Sequence, residues 1–225
     1  MAAVSTEFEA AHARKMMVER QVRTWDVLDQ RITDLLEEMP RDRFVPERFR
    51  ALAYADAQIP LGDGQIMMAP KVEGRMLQAL AVQPGESVLE VGTGSGFIAA
   101  CLARLGGNVL SCDNRAAFLG GAQKAIAELG LADQVELRHQ DSARLDWTEQ
   151  RFDVICVTGS VPVLDNGFAE HLETGGRLFV VVGQAPVMEA ILITRIAAGE
   201  LARESLFETV LPALDNAPAP SPFRF

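Results

Sequence analysis

Apolar positions along the chain follow two rhythms. Short branched runs at residues 87–91, 108–112, 135–139, 152–158, 177–182 and 188–196 have the character of buried or half-buried strands, and stretches with helical spacing separate most of them. The spacing predicts helices over 72–80, 97–105 and 116–129, the last stopped by Gly130, and a shorter one over 168–172. Turns are expected at Gln83-Pro84-Gly85-Glu86, Thr174-Gly175-Gly176 and Ala197-Ala198-Gly199-Glu200. A final run, 201–211, folds back on 188–196. Apolar strands alternating with helices predict an α/β fold: a doubly wound, mostly parallel, right-handed sheet with an antiparallel edge.

Ahead of the sheet lies a helical extension. Residues 1–13 carry no clear apolar stripe and read as loose or as a fraying helix start, whereas 16–27 place Met16, Met17, Val22 and Trp25 among charged residues as an amphipathic helix would. A second helix is expected over 29–39, with Ile32, Leu35, Leu36 and Met39 at helical spacing and Pro40 ending it; Pro46 opens another piece, 47–54. Residues 59–70 read as a long loop punctuated by glycine and proline, a type that often carries function. The proline-rich tail is expected to be extended. The chain thus divides into an extension with its loop (1–70), a sheet domain (71–211) and a tail (212–225).

Composition narrows the functional classes. A formal charge of −10 and a pI near 4.8 argue against a nucleic-acid backbone as partner, since phosphate binding needs concentrated Lys and Arg. Cys101, Cys112 and Cys156 sit apart in apolar runs, without metal-ligand spacing, and read as reduced core residues; no metal site is expected. No run is long enough to span a membrane and the N-terminus is not signal-like, so a cytoplasmic location is expected.

The chemistry gathers after the strand 87–91. Gly92, Gly94 and Gly96 form G-x-G-x-G, preceded by Glu90 and interleaved with Thr93 and Ser95, a spacing unlike the pyrophosphate fingerprint G-x-G-x-x-G. The next strand ends on Asp113, where a carboxylate can accept both hydroxyls of an unphosphorylated ribose. This strand, glycine turn, helix and acid resemble the S-adenosyl-L-methionine site of the class I methyltransferases, which implies a Rossmann-like methyltransferase sheet. On that resemblance Glu90, Gly92, Thr93, Gly94, Ser95, Gly96, Asp113 and Asn114 hold the cofactor. Asp141 and Ser142 follow the third strand, where Asp141 is placed to meet the adenine amino group, and Thr158 ends the fourth.

A narrower resemblance rests on Met39-Pro40-Arg41-Asp42-Arg43-Phe44-Val45-Pro46, Ala53-Tyr54-Ala55-Asp56, Pro60-Leu61-Gly62-Asp63-Gly64-Gln65 and Ala69-Pro70. These follow one another as in the protein-L-isoaspartate O-methyltransferases, and the likeness runs from about residue 21 to 210. It implies methyl transfer to a carboxylate of a protein or peptide, such as an isoaspartyl residue, with the loop 62–70 over the acceptor. The acceptor-loop candidates are Gln65, Ile66 and Met68. The family loop reads Gly-Gln-Thr-Ile-Ser-x-Pro, so here Ile66 stands for the threonine and Met68 for the serine, and both hydroxyls are gone. Thr158 and Ser160 are expected to restore some polarity. An ionised carboxylate needs no general base, so positioning supplies most of the acceleration. The altered loop leaves two other readings open: a different acceptor, including an apolar small molecule met by Met67 and Met68, or a cofactor-binding protein without catalysis.

Overall fold

The computed structural model describes residues 2–141, 150–164 and 167–218. Strands β3 (Ser87–Val91), β4 (Asn108–Asp113), β5 (Val135–His139), β6 (Phe152–Val161), β7 (Leu172–Gln184), β8 (Val187–Ala197) and β9 (Glu200–Glu208) form a seven-stranded sheet of order β5-β4-β3-β6-β7-β8-β9. The first five in that order pair in parallel, whereas β7, β8 and β9 pair antiparallel, which gives the expected edge. Strand order reverses at β3, between β4 and β6.

Side chains alternate between the two faces with the strand period of two. Val88, Val154, Cys156, Phe179 and Val181 belong to a cluster that continues into α3 (Pro70–Leu80), α4 (Phe97–Arg104) and α5 (Ala116–Glu128). Leu89, Val91, Ile155, Val157, Leu178 and Val180 belong to a second cluster, with Ala169 of α6 (Gly167–Glu170) and, on its margin, Leu214 and Ala217. Each fully buried aliphatic side chain in these rows contributes about 1.5–3 kcal/mol. The first cluster also includes Met17, Val22, Ile32, Leu36 and Phe44, so the N-terminal elements share the sheet's core.

Several local expectations are corrected. The N-terminal stretch without a stripe is helical: α1 spans Ala2–Met17, widens to a π turn over Val18–Val22, narrows to a 3-10 turn over Arg23–Trp25, and Asp26 in the left-handed region ends it. The chain turns there because Gln78 accepts the Leu28 and Asp29 N–H groups and donates to the Asp26 carbonyl. Helix α2 (Gln30–Glu38) is as expected, with the Asp29 carboxylate capping the Arg31 N–H at 2.8 Å. The expected turn at Thr174-Gly175-Gly176 lies inside β7. The register shifts there: Phe152 pairs with Leu172 and Val154 already with Arg177, so residues 173–176 stand against Asp153 alone, with Gly175 at positive φ. The expected loop 59–70 is largely a hairpin, β1 (Ile59–Gly62) against β2 (Gln65–Met67), and Pro70 starts α3. Glycine at 62 and 64, with Asp63 between them, supplies three positive φ angles that turn the hairpin.

The described part of the tail, residues 212–218, docks as an extended piece that turns at Asp215 and Asn216. Ala213 bridges in parallel to Ser160, the Ser160 N–H donates to the Pro212 carbonyl at 2.9 Å, and the Leu214 N–H donates to the Ser160 carbonyl at 2.8 Å.

Candidate functional site

The reversal of strand order opens a cleft at the carboxyl ends of β3, β4 and β6, the position in which open α/β sheets hold ligands. The hairpin roofs it and the tail closes one side. The cleft has two connected lobes of about 580 and 310 Å³, which share Leu61, Ile66, Gly92, Gly94 and Thr158.

The larger lobe meets Asp113, Asn114, Asp141 and Gln65. The Asp113 carboxylate accepts the backbone N–H of Gly94 at 2.9 Å and of Arg115 at 2.8 Å, so one side chain fixes both the glycine turn and the end of β4. Each carboxylate oxygen keeps a further lone pair for a hydroxyl. Gly92 has φ 98°, and a Cβ there would stand 2.4 Å from Thr158 Oγ. Only glycine allows β3 to lie this close to β6. Gly96 does a different job: a Cβ on it would meet Ala122 at 2.7 Å, so it lets α4 pack on α5 and does not line the cleft. Ser142 lies outside the described residues.

Tail residues missing from the sequence reading complete this lobe. Asp215 accepts from Asn114 at 2.8 Å and pairs with Arg115 at 2.7 Å; these contacts, with Asn114 first, hold its carboxyl below the usual range. Asn216 donates to Asp141 at 2.8 Å. No local pattern marks these partners, which lie 75 to 101 residues apart.

The smaller lobe meets Glu90, Thr93, Ser95, Met67, Met68, Phe97 and Glu73. Glu90 is fully buried on β3. Ser111 donates to its Oε2 and shares a hydrogen bond of 2.6 Å with Thr93, while Oε1 has no hydrogen-bond partner among the described residues; the backbone N–H of Ala99 is the weakest of the influences on the carboxyl. Burial therefore dominates and pushes this carboxyl up to about 8. An orphaned carboxyl oxygen in a cleft wall suits a cationic group, whose charge would favour loss of the carboxyl proton. Together with the Asp113 acceptor and the close-set glycine backbone, it makes a donor and acceptor set that fits an adenosine bearing an ammonium-tipped chain.

Ile66 and Met68 do line the cleft, as the sequence suggested, and Gln65 turns toward the larger lobe. The expected replacement hydroxyls are otherwise engaged. Thr158 Oγ donates to the Val91 and Gly92 carbonyls at 3.0 and 2.5 Å, and buried Ser160 Oγ donates to the Leu211 carbonyl at 2.9 Å. At this end Ser95 presents a half-buried hydroxyl, which accepts the Phe97 N–H in a long 3.4 Å contact.

The motif residues 39–56 brace the hairpin from beneath. Tyr54 donates to Asp42, and burial with that bond raises its phenol to about 12. Lys71 pairs with Asp56 at 2.8 Å. Arg41, wholly buried, meets the Glu73 carboxylate with two bonds of 3.0 Å. Burial pushes the Glu73 carboxyl up while Arg41 pulls it down, and burial prevails. Among the described residues, no group of His, Cys, Asp and Glu could hold a metal ion, the three cysteines are buried and free, and no helix is long and apolar enough to cross a membrane.

Comparison with known proteins finds relatives over most of the chain. The family model for protein-L-isoaspartate(D-aspartate) O-methyltransferase matches residues 12–215. A protein-L-isoaspartate O-methyltransferase of Rhodopseudomonas palustris is 35% identical over 191 residues, covering 84% of this chain and 87% of the relative. A second, from Anaeromyxobacter, is 38% identical over 188 residues, covering 83% and 76%. Among solved structures, one from Plasmodium falciparum, assigned to the same enzymes and holding S-adenosyl-L-homocysteine, superimposes with a TM-score of 0.79 over 90% of this chain and 98% of its own. Its identity is 19%, so this likeness bears on the fold alone.

Proposed function

This chain belongs to the protein-L-isoaspartate(D-aspartate) O-methyltransferase family, and from that premise we propose that it methylates the side-chain carboxylate of isoaspartyl residues in proteins or peptides, using S-adenosyl-L-methionine. The observation that carries this reading is the Asp113 carboxylate, held by two backbone N–H groups beside the glycine turn, in a cleft roofed by the hairpin.

When bound, the cofactor supplies an electrophilic methyl group on a sulfonium. Asp113 would take its ribose hydroxyls, Asp141 and Asn114 would meet the base, and the backbone at Gly92 to Gly94 with Glu90 would receive the amino acid end. The chain's remaining task is orientation. The acceptor carboxylate is ionised near neutral pH and needs no proton removed, so aligning its oxygen can supply most of the acceleration. Leu61, Ile66 and Met68 give the acceptor end apolar walls that exclude water.

The test is methyl release with an isoaspartyl peptide and with the same peptide bearing ordinary aspartate. Turnover on the first alone is expected. Binding of S-adenosyl-L-homocysteine with no turnover on either peptide would reject this acceptor and favour a protein that binds without transferring.

A further inference from the structure

Beneath the acceptor end of the cleft sits a polar assembly that reaches the smaller lobe only through Glu73. Arg41 has no exposed surface, and its guanidinium reaches four acceptors: both oxygens of Glu73 at 3.0 Å, the Ala53 carbonyl at 2.7 Å and the Met68 carbonyl at 2.5 Å. It also lies over the ring of Phe97, 5.5 Å from the centroid, at the start of α4 just after the glycine turn. One planar group thus joins the turn after α2, the exit of the hairpin, the first turns of α3 and the first residue of α4.

A buried ion pair is an uneconomical source of stability, because desolvation of two charges offsets most of their attraction and apolar replacements often fold equally well. What such a fork does supply is fixed geometry, since a guanidinium offers its donors in one rigid plane. Its effect falls on the acceptor wall: Met68, whose carbonyl is held, lines the smaller lobe with Ile66, Phe97 and Glu73 itself. We propose that Arg41 and Glu73 are a positioning pair for the methyl acceptor, clamping the Met68 backbone so that the Ile66 to Met68 edge holds the acceptor oxygen in line. In a loop without side-chain hydroxyls, the clamp below sets an alignment that donors within the cleft would otherwise set. This rests on the methyltransferase reading above.

Two variants test it. Arg41→Lys keeps the charge but cannot span all four acceptors, and Arg41→Met with Glu73→Leu removes both charges at similar volume. In each, kcat on the isoaspartyl peptide should fall ten-fold or more with KM within about three-fold, and calorimetric affinity for S-adenosyl-L-homocysteine should stay within two-fold. Amide hydrogen exchange at residues 66–69 should quicken ten-fold or more while β3 and β4 keep their protection. Unchanged exchange at 66–69, or exchange and cofactor affinity lost across β3 and β4 as well, would overturn the clamp. Exchange decides this even if the wild-type protein turns over no isoaspartyl peptide, a result that would count against the proposed acceptor alone.

Discussion

The two ends of the cleft solve the problem of holding a ligand differently. At the proposed cofactor end the polar groups are side chains that line the cavity: Asp113, Asn114 and Asp141 in the larger lobe, with Glu90, Thr93 and Ser95 carrying the polar row along one wall of the smaller one. On the hairpin side, the proposed acceptor end, Leu61, Ile66, Met67 and Met68 make the wall, and the strong polar contacts lie at its base, where Arg41 beneath joins Glu73 at the cleft's edge to main-chain carbonyls. A ligand of constant structure can be met by fixed side chains, because each finds the same partner at every turnover. A protein acceptor varies around one carboxylate, and an apolar edge on a rigid support suits that variety better than donors tuned to one neighbour.

Glu90 offers the largest test of this contrast. Its carboxyl lies at about 8 in the folded protein, far above the ordinary 4.5, so the stability it contributes is fully present below about pH 4.5 and is lost as pH rises through 8. At about 1.4 kcal/mol per unit, the loss is on the order of 5 kcal/mol. Glu90→Gln keeps an acceptor for Ser111 and does not titrate, so its melting temperature should gain on the wild type from pH 5 to 8 and level above. A flat difference would place Glu90 in a solvated wall.

Asp113→Asn comes next. It keeps the shape but removes the charge from hydrogen bonds worth roughly 1.5–3 kcal/mol, so affinity for S-adenosyl-L-homocysteine should drop about ten- to hundred-fold by calorimetry. An unchanged affinity would remove the acid from the cofactor site.

The smallest effect is expected at the other end. Ile66→Thr with Met68→Ser places donors directly on the acceptor wall and should raise turnover on an isoaspartyl peptide about ten-fold, one decade for each 1.4 kcal/mol of transition-state stabilisation. No gain in a folded, cofactor-binding variant would show that the support beneath already provides the alignment, sharpening the contrast between the two ends.

Much of this was legible in the sequence. The strands at 87–91 and 152–158 are legible as short, branched apolar runs, because a strand buried on both faces needs apolar residues at nearly every position. The glycine turn and Asp113 were legible because positive φ and a strand-end acid act over a few residues. Thr158 shows the limit. Its place at the strand end was readable, but its hydroxyl goes to the Val91 and Gly92 carbonyls, partners brought near only by the pairing of β6 with β3. The 59–67 hairpin was read as loop because three- and four-residue strands leave too short a period to detect.

By itself, then, the sequence determined the strands, the turn that bares the backbone and the acid beside it, all of which depend on neighbours along the chain. Only the tertiary structure decided that Arg41 would clasp Glu73 under Met68, that Glu90 would lose a partner for one oxygen, and that Asp215 and Asn216 would close on Asn114 and Asp141. Those contacts join residues whose separation along the chain carries no periodic signal. They exist because packing removes water from charged and polar groups and leaves each dependent on whichever partner the fold brings within reach.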